Sequence, residues 1–219
     1  MTLSPTTPSL CICDDATFLP WLSWAEIAAL PERGSILVVV PVAGMADHGA
    51  GLPLDIEERV LMRVVRAASR QRAESVRLLV VPPLRFVTGP ATPDGGAAFA
   101  VDAPEAHAFV DEVCASLAAS GFRRIVLCNA SPWNEEVCDA AARDIRIARG
   151  LQMFCVNLSA LGLGFSGGDA TQWTRIAAHS ASDGDEPAVT AAGARLAGLL
   201  EEIAGRPPLV NDGRISTKT

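Results

Sequence analysis

Three short, unbroken apolar runs constrain this chain most: Ile36-Leu-Val-Val-Val-Pro-Val42, Val76-Arg-Leu-Leu-Val-Val81 and Arg124-Ile-Val-Leu-Cys128. They are rich in β-branched residues and show little polar alternation, the pattern of strands covered on both faces in a parallel sheet. Met153-Phe-Cys-Val-Asn157 reads as a fourth strand. Helical segments lie between them. Over Ile56–Arg70, Val60, Leu61, Val64, Val65 and Ala68 form an apolar stripe, and Arg59, Arg63, Arg66 and Arg70 a charged one. Phe109, Val110, Val113, Cys114 and Leu117 repeat at helical spacing over Pro104–Ser120, with Pro104 acceptable in the first turn. Glu135–Gly150 and Pro187–Ala204 are further helices, stopped by Gly150 and Gly205. Such alternation implies right-handed crossovers and an α/β fold, a three-layer α/β/α domain around a mostly parallel central sheet. Ligands of such sheets sit outside the carboxyl ends of the strands. Here that rim is Ala43–Leu54, Pro82–Gly96 and Asn129–Asn134.

A chain of 219 residues suits one large domain, and 49% hydrophobic with 20% charged residues is a globular composition. Residues 1–20 read as an N-terminal extension, 21–205 as the domain and 206–219 as an extended tail. A net charge of -7 with no basic stripe and no tyrosine argues against a nucleic-acid partner. No apolar run is long enough to cross a bilayer, so no membrane partner is expected. Met1–Leu10 lacks the pattern of a signal peptide, and a cytoplasmic location is the expectation. The cysteines Cys11, Cys13, Cys114, Cys128, Cys138 and Cys155 read as reduced, several of them inside apolar segments. Cys11 and Cys13 precede Asp14 and Asp15, but no second Cys/His pair follows at zinc-site spacing.

The segment Pro41-Val-Ala-Gly-Met-Ala-Asp-His-Gly-Ala-Gly-Leu-Pro-Leu-Asp-Ile-Glu57 has the outline of a metal-binding turn between a strand and a helix. Ser23-Trp24-Ala25-Glu26 precedes it, Val81-Pro82-Pro83-Leu84 ends the second strand, and Gly121–Asn129 leads into a rim loop. Gly184-Asp-Glu-Pro187 opens an Ala/Gly-rich helix. In this order and spacing, from about Trp24 to Ala204, the chain resembles the creatininase (creatinine amidohydrolase) family. Pro41, Val42, His48, Gly49, Leu52, Pro53 and Leu54 fall in register with the family's first loop.

The resemblance implies a two-metal hydrolase opening cyclic amides or related amide bonds. Carboxylates and imidazoles would fix the cations, and the cations would acidify water and polarise the carbonyl. Carried over by position, that site is depleted. Ala46 stands at the first Glu, His48 is kept, and Glu57 replaces the bridging Asp. Ser131 stands at the loop His and Trp133 at the second loop ligand, within Asn129-Ala-Ser-Pro-Trp-Asn134. The family's Ser-x-Glu-His segment appears as Ala91-Thr-Pro-Asp94, and its late catalytic segment aligns with Asp169-Ala-Thr-Gln172. Asp169 and Gln172 are thus the candidate catalytic positions, His48 and Glu57 a remnant metal pair. Asp47, Asp94, Asn129, Ser131, Trp133 and Asn134 are the candidate pocket.

Two of five ligands survive, whereas catalytic sites use three donors plus water and structural ones four. Replacement donors could come from Asp47, Asp55, Asp94, Glu135 or Asp169, while Trp133 reads as space-filling. Each residue also has a plain role. His48 can be a rim residue bonded to backbone, Glu57 and Glu135 suit first helical turns, and Asn134 suits an N-cap. His107 and His179 read as solvated. Asp47-His48 with Ser131 invites comparison with a triad, but Pro132 after Ser131 does not resemble a nucleophile elbow. The expectation is therefore a creatininase homologue without its dinuclear centre or a cofactor, acting as a binding or assembly subunit. The alternative is an amidohydrolase for a cyclic amide or formamide, with a rebuilt zinc or manganese site. The family resemblance implies a homo-oligomer, a hexamer, with an active paralogue as a further partner.

Overall fold

The computed structural model describes residues 13–49, 51–85, 87–89, 99–164, 176 and 186–209. Four strands form one parallel sheet: β1 (Leu37–Val42), β2 (Leu78–Val80), β3 (Arg124–Asn129) and β4 (Gln152–Asn157), in the order β2-β1-β3-β4. The helices are α1 (Trp24–Ala29), α2 (Ile56–Gln71), α3 (Ala103–Ala119), α4 (Glu135–Arg149) and α5 (Pro187–Gly205). This is the expected three-layer α/β/α arrangement.

Handedness explains the layers. From β1 the chain steps one way to β2, then returns past β1 to β3 and continues to β4. Right-handed crossovers then put α2 on one face and α3 and α4 on the other. Alternate β1 side chains enter the two cores. Leu37 and Val39 pack with α2 and α5, while Val38, Val40 and Val42 pack with α3 and α4. Every β1 and β3 residue is buried, as their continuous apolar runs require.

Three features depart from the sequence reading. Helix α2 is buried on nearly all sides, because α5 and Ile176 cover it from outside. Arg63 and Arg66 are therefore buried, and Arg63 donates to the Ile176 carbonyl at 2.5 Å. The segment before residue 21 contributes to the folded body: Phe18 joins the core and Val80 N–H donates to the Thr17 carbonyl at 2.8 Å. The start of the tail is likewise held. Arg124 donates to the carbonyls of Ala204 and Arg206, and Gln152 to that of Pro207. No helix among the described residues is long and apolar enough to cross a membrane.

Candidate functional site at the strand switch point

Strand order reverses between β1 and β3, so the loops leaving these two strands diverge and open a crevice. The β1 loop turns sharply. Asp47 Oδ1 accepts the Gly49 N–H at 2.7 Å, and Gly49 and Gly51 take φ of 72° and 70°, a left-handed region that glycine enters freely. This turn folds His48 back toward the first turn of α2. His48 Nε2 lies 2.8 Å from Glu57 Oε1, with the carboxylate fully buried and the His48 side chain 8% exposed. The other Glu57 oxygen accepts the Gly44 N–H. A Cβ on Gly44 would lie 2.9 Å from Glu57 Oε2 and 3.4 Å from Ser131 Oγ. Only a glycine lets the carboxylate come so near the backbone.

The β3 loop closes the other side. Trp133 sets its ring 5.1 Å from the His48 ring, tilted by 35°. Ser131 is fully buried, and its hydroxyl has no hydrogen-bond partner. Asn129 holds the loop: its amide donates to the Ser131 carbonyl at 2.8 Å and to Asn157 Oδ1 at 3.0 Å, and its Oδ1 accepts the Ser131 N–H at 3.1 Å.

The structure thus brings His48, Glu57, Ser131 and Trp133 together and leaves other candidates apart. Ala46 is buried and offers no donor. Asp47 serves its own turn, Asp55 pairs with Arg59 at 2.8 Å, and Glu135 accepts from Ser159 Oγ at 2.5 Å. Asn134 occupies the N-cap position of α4 without capping it. Its side chain instead ties down the loop after β2, accepting from Thr88 N–H and Oγ1 and donating to the Thr88 carbonyl. His48 bonds the Glu57 carboxylate, and His107 lies 3.4 Å from Asp144. Asp94, Asp169, Gln172 and His179 lie outside the described residues. Gly44 and Thr88 are the site residues that the sequence reading missed. Gly44 acts through its backbone N–H, which no residue pattern advertises.

Among the described residues, no three His, Cys, Asp or Glu side chains converge as a metal-holding group. What the crevice does contain is a short, buried imidazole–carboxylate contact roofed by an indole. The dielectric there is low, so the contact is strong, and parting it would leave a buried carboxylate poorly compensated.

The family model described as creatininase, creatinine amidohydrolase, matches residues 21–194. A creatinine amidohydrolase of Pseudomonas putida is 28% identical over 150 residues, covering 64% of this chain. The match spans only 56% of that relative's length. A creatinine amidohydrolase-type protein of Bacteroides fragilis superposes with a TM-score of 0.61 at 15% identity, covering 89% of this chain and 98% of its own. A manganese form of creatininase gives 0.53 at 22% identity, over 66% of this chain and 59% of its own. At these identities the structures speak for the fold alone. The family model, spanning most of the domain and both loops of the crevice, carries the assignment: this chain belongs to the creatininase family.

Proposed function

We propose that this protein is a creatininase-family homologue that has lost its dinuclear centre and serves as a binding or assembly subunit. The His48–Glu57 contact carries this reading. The two donors that persist at ligand positions are bonded to each other at 2.8 Å, and the Gly44 N–H takes the second carboxylate oxygen. A cation entering here would displace both bonds and still find only two donors, where three or four are needed. Ala46, Ser131 and Trp133 supply no imidazole or carboxylate, and Trp133 packs against His48 where a cation would need room. The described rim therefore does not fit a two-metal site. By family resemblance the protein works as a homo-oligomer, a hexamer, alone or with an active paralogue.

One observation favours a second reading. The buried Ser131 hydroxyl lacks a partner beside Glu57, a polar vacancy that a rebuilt mononuclear site could use. Asp94 or Asp169 would have to supply the missing donor, Asp169 or Gln172 the acid/base group, and the substrate would be a cyclic amide or formamide. Metal analysis decides between the two. After dialysis against a weak chelator, the first reading expects zinc and manganese well below stoichiometry. Near-stoichiometric metal would overturn it. Metal-dependent hydrolysis of lactams or formamides, abolished by His48→Ala, would establish the second.

A further inference from the structure

At the opposite end of the sheet, where β3 and β4 begin, lies a cavity of about 390 Å³ lined by Gly34, Arg123, Arg124, Arg149, Gln152 and Leu209, among others. Among the described residues, its lining holds three arginines and no carboxylate, in a chain whose net charge is -7. Arg149 is neutralised, its guanidinium held by two 2.6 Å bonds to Asp111. The other two are not. Arg124 is only 6% exposed; its terminal nitrogens donate to the carbonyls of Ala204 and Arg206, and its Nε–H has no partner. Arg123 donates only to the carbonyls of Ala118 and Phe122. Carbonyl oxygens satisfy donors but cancel no charge, so the cavity keeps two positive charges, one of them buried.

We propose that this cavity binds a small molecule through an oxyanion, phosphate or carboxylate, between Arg123 and Arg124. A buried cation without a counter-ion is costly, and an anion in the cavity offsets that cost by Coulomb attraction even where it touches only the outer guanidinium. The guanidinium fork suits planar or tetrahedral oxyanions. Gln152, only 8% exposed, sharpens the choice: its Nε2 is spent on the Pro207 carbonyl at 3.2 Å, while its Oε1 has no donor. An anion that also carries a hydroxyl, such as monohydrogen phosphate or a hydroxy acid, could answer both groups directly or through one water. The volume accommodates a small metabolite and excludes a polymer. The site is independent of the reading of the β1–β3 crevice, which lies at the other end of the strands.

Isothermal titration of the full chain with inorganic phosphate and with malate, at ionic strength fixed by sodium chloride, tests this. Saturable one-to-one binding of either is expected, and the tighter ligand identifies phosphate or hydroxy acid as the source. Arg123→Gln removes one charge from an exposed residue whose tie to the last turn of α3 is a single bond to the Ala118 carbonyl, and is expected to weaken binding at least about tenfold. Arg124→Gln is expected to abolish binding, but it also unties the end of α5, so Arg123→Gln is the deciding variant. Heat no greater than that of chloride, or equal affinity in Arg123→Gln, would overturn the proposal.

Discussion

Gly44 shows how much of the crevice rests on one missing methyl. A Cβ there would stand 2.9 Å from a carboxylate oxygen that is buried and already bonded to His48. Glu57 has nowhere to retreat, so Gly44→Ala is expected to destabilise the protein by about 1–3 kcal/mol in urea unfolding. Ser131 makes the opposite case. A buried hydroxyl without a partner costs about 1–3 kcal/mol, so Ser131→Ala should hold or raise the urea midpoint. A clear fall would mean that the hydroxyl is engaged by a bound group, as the rebuilt-site reading requires. The sequence singles out His48, Glu57, Ser131 and Trp133 only because the resemblance to the creatininase family carries its ligand positions onto them. Their mutual contacts are not legible there: a motif gives positions along the chain, whereas the Glu57 rotamer that reaches His48 depends on space left by Gly44.

Helices α2 and α5 approach as closely as backbone permits. A Cβ on Gly193 would sit 2.6 Å from Ala67 Cβ and 3.2 Å from Ala67 backbone carbon. Gly193→Ala must therefore push two buried helices apart, and a loss of about 1–3 kcal/mol is expected, against a small gain for Gly198→Ala, which meets open space. The two variants on one helix separate packing from helix propensity. On the other face, the Arg149 guanidinium bonded to Asp111 holds that carboxyl below its usual range. A group depressed on folding stabilises above its unfolded pKa and loses that contribution as pH falls through its folded one. Asp111→Asn should accordingly flatten the acid limb of a stability profile below about pH 4. The elements themselves read well from sequence, since β-branched runs and 3.6-residue stripes are local. What escaped was the all-round burial of α2, for its arginine stripe is covered by residues more than a hundred positions away.

At the scale of the molecule, a two-sided sheet commits its cysteines to apolar surroundings. Cys114 faces one core from α3, and Cys128 stands in β3 against the other. Burial raises both thiols to about 12. Among the described residues, Cys114, Cys128, Cys138 and Cys155 are free thiols. The fold depends on Cys114 and Cys128 keeping their protons. In the unfolded chain a thiol ionises near pH 8.5, so between there and about 12 the unfolded state releases protons that the native state retains. A pKa raised by folding contributes fully below the unfolded value and is lost as pH climbs, here at about 1.4 kcal/mol per pH unit for each thiol. Stability measured by urea titration should therefore decline from about pH 9 upward, and Cys114→Ala should make that decline shallower while leaving it nearly unchanged below pH 8. An equal slope in the variant would mean that the thiol is reached by solvent in the native state, and that the layer between α3 and the sheet is open where the packing closes it.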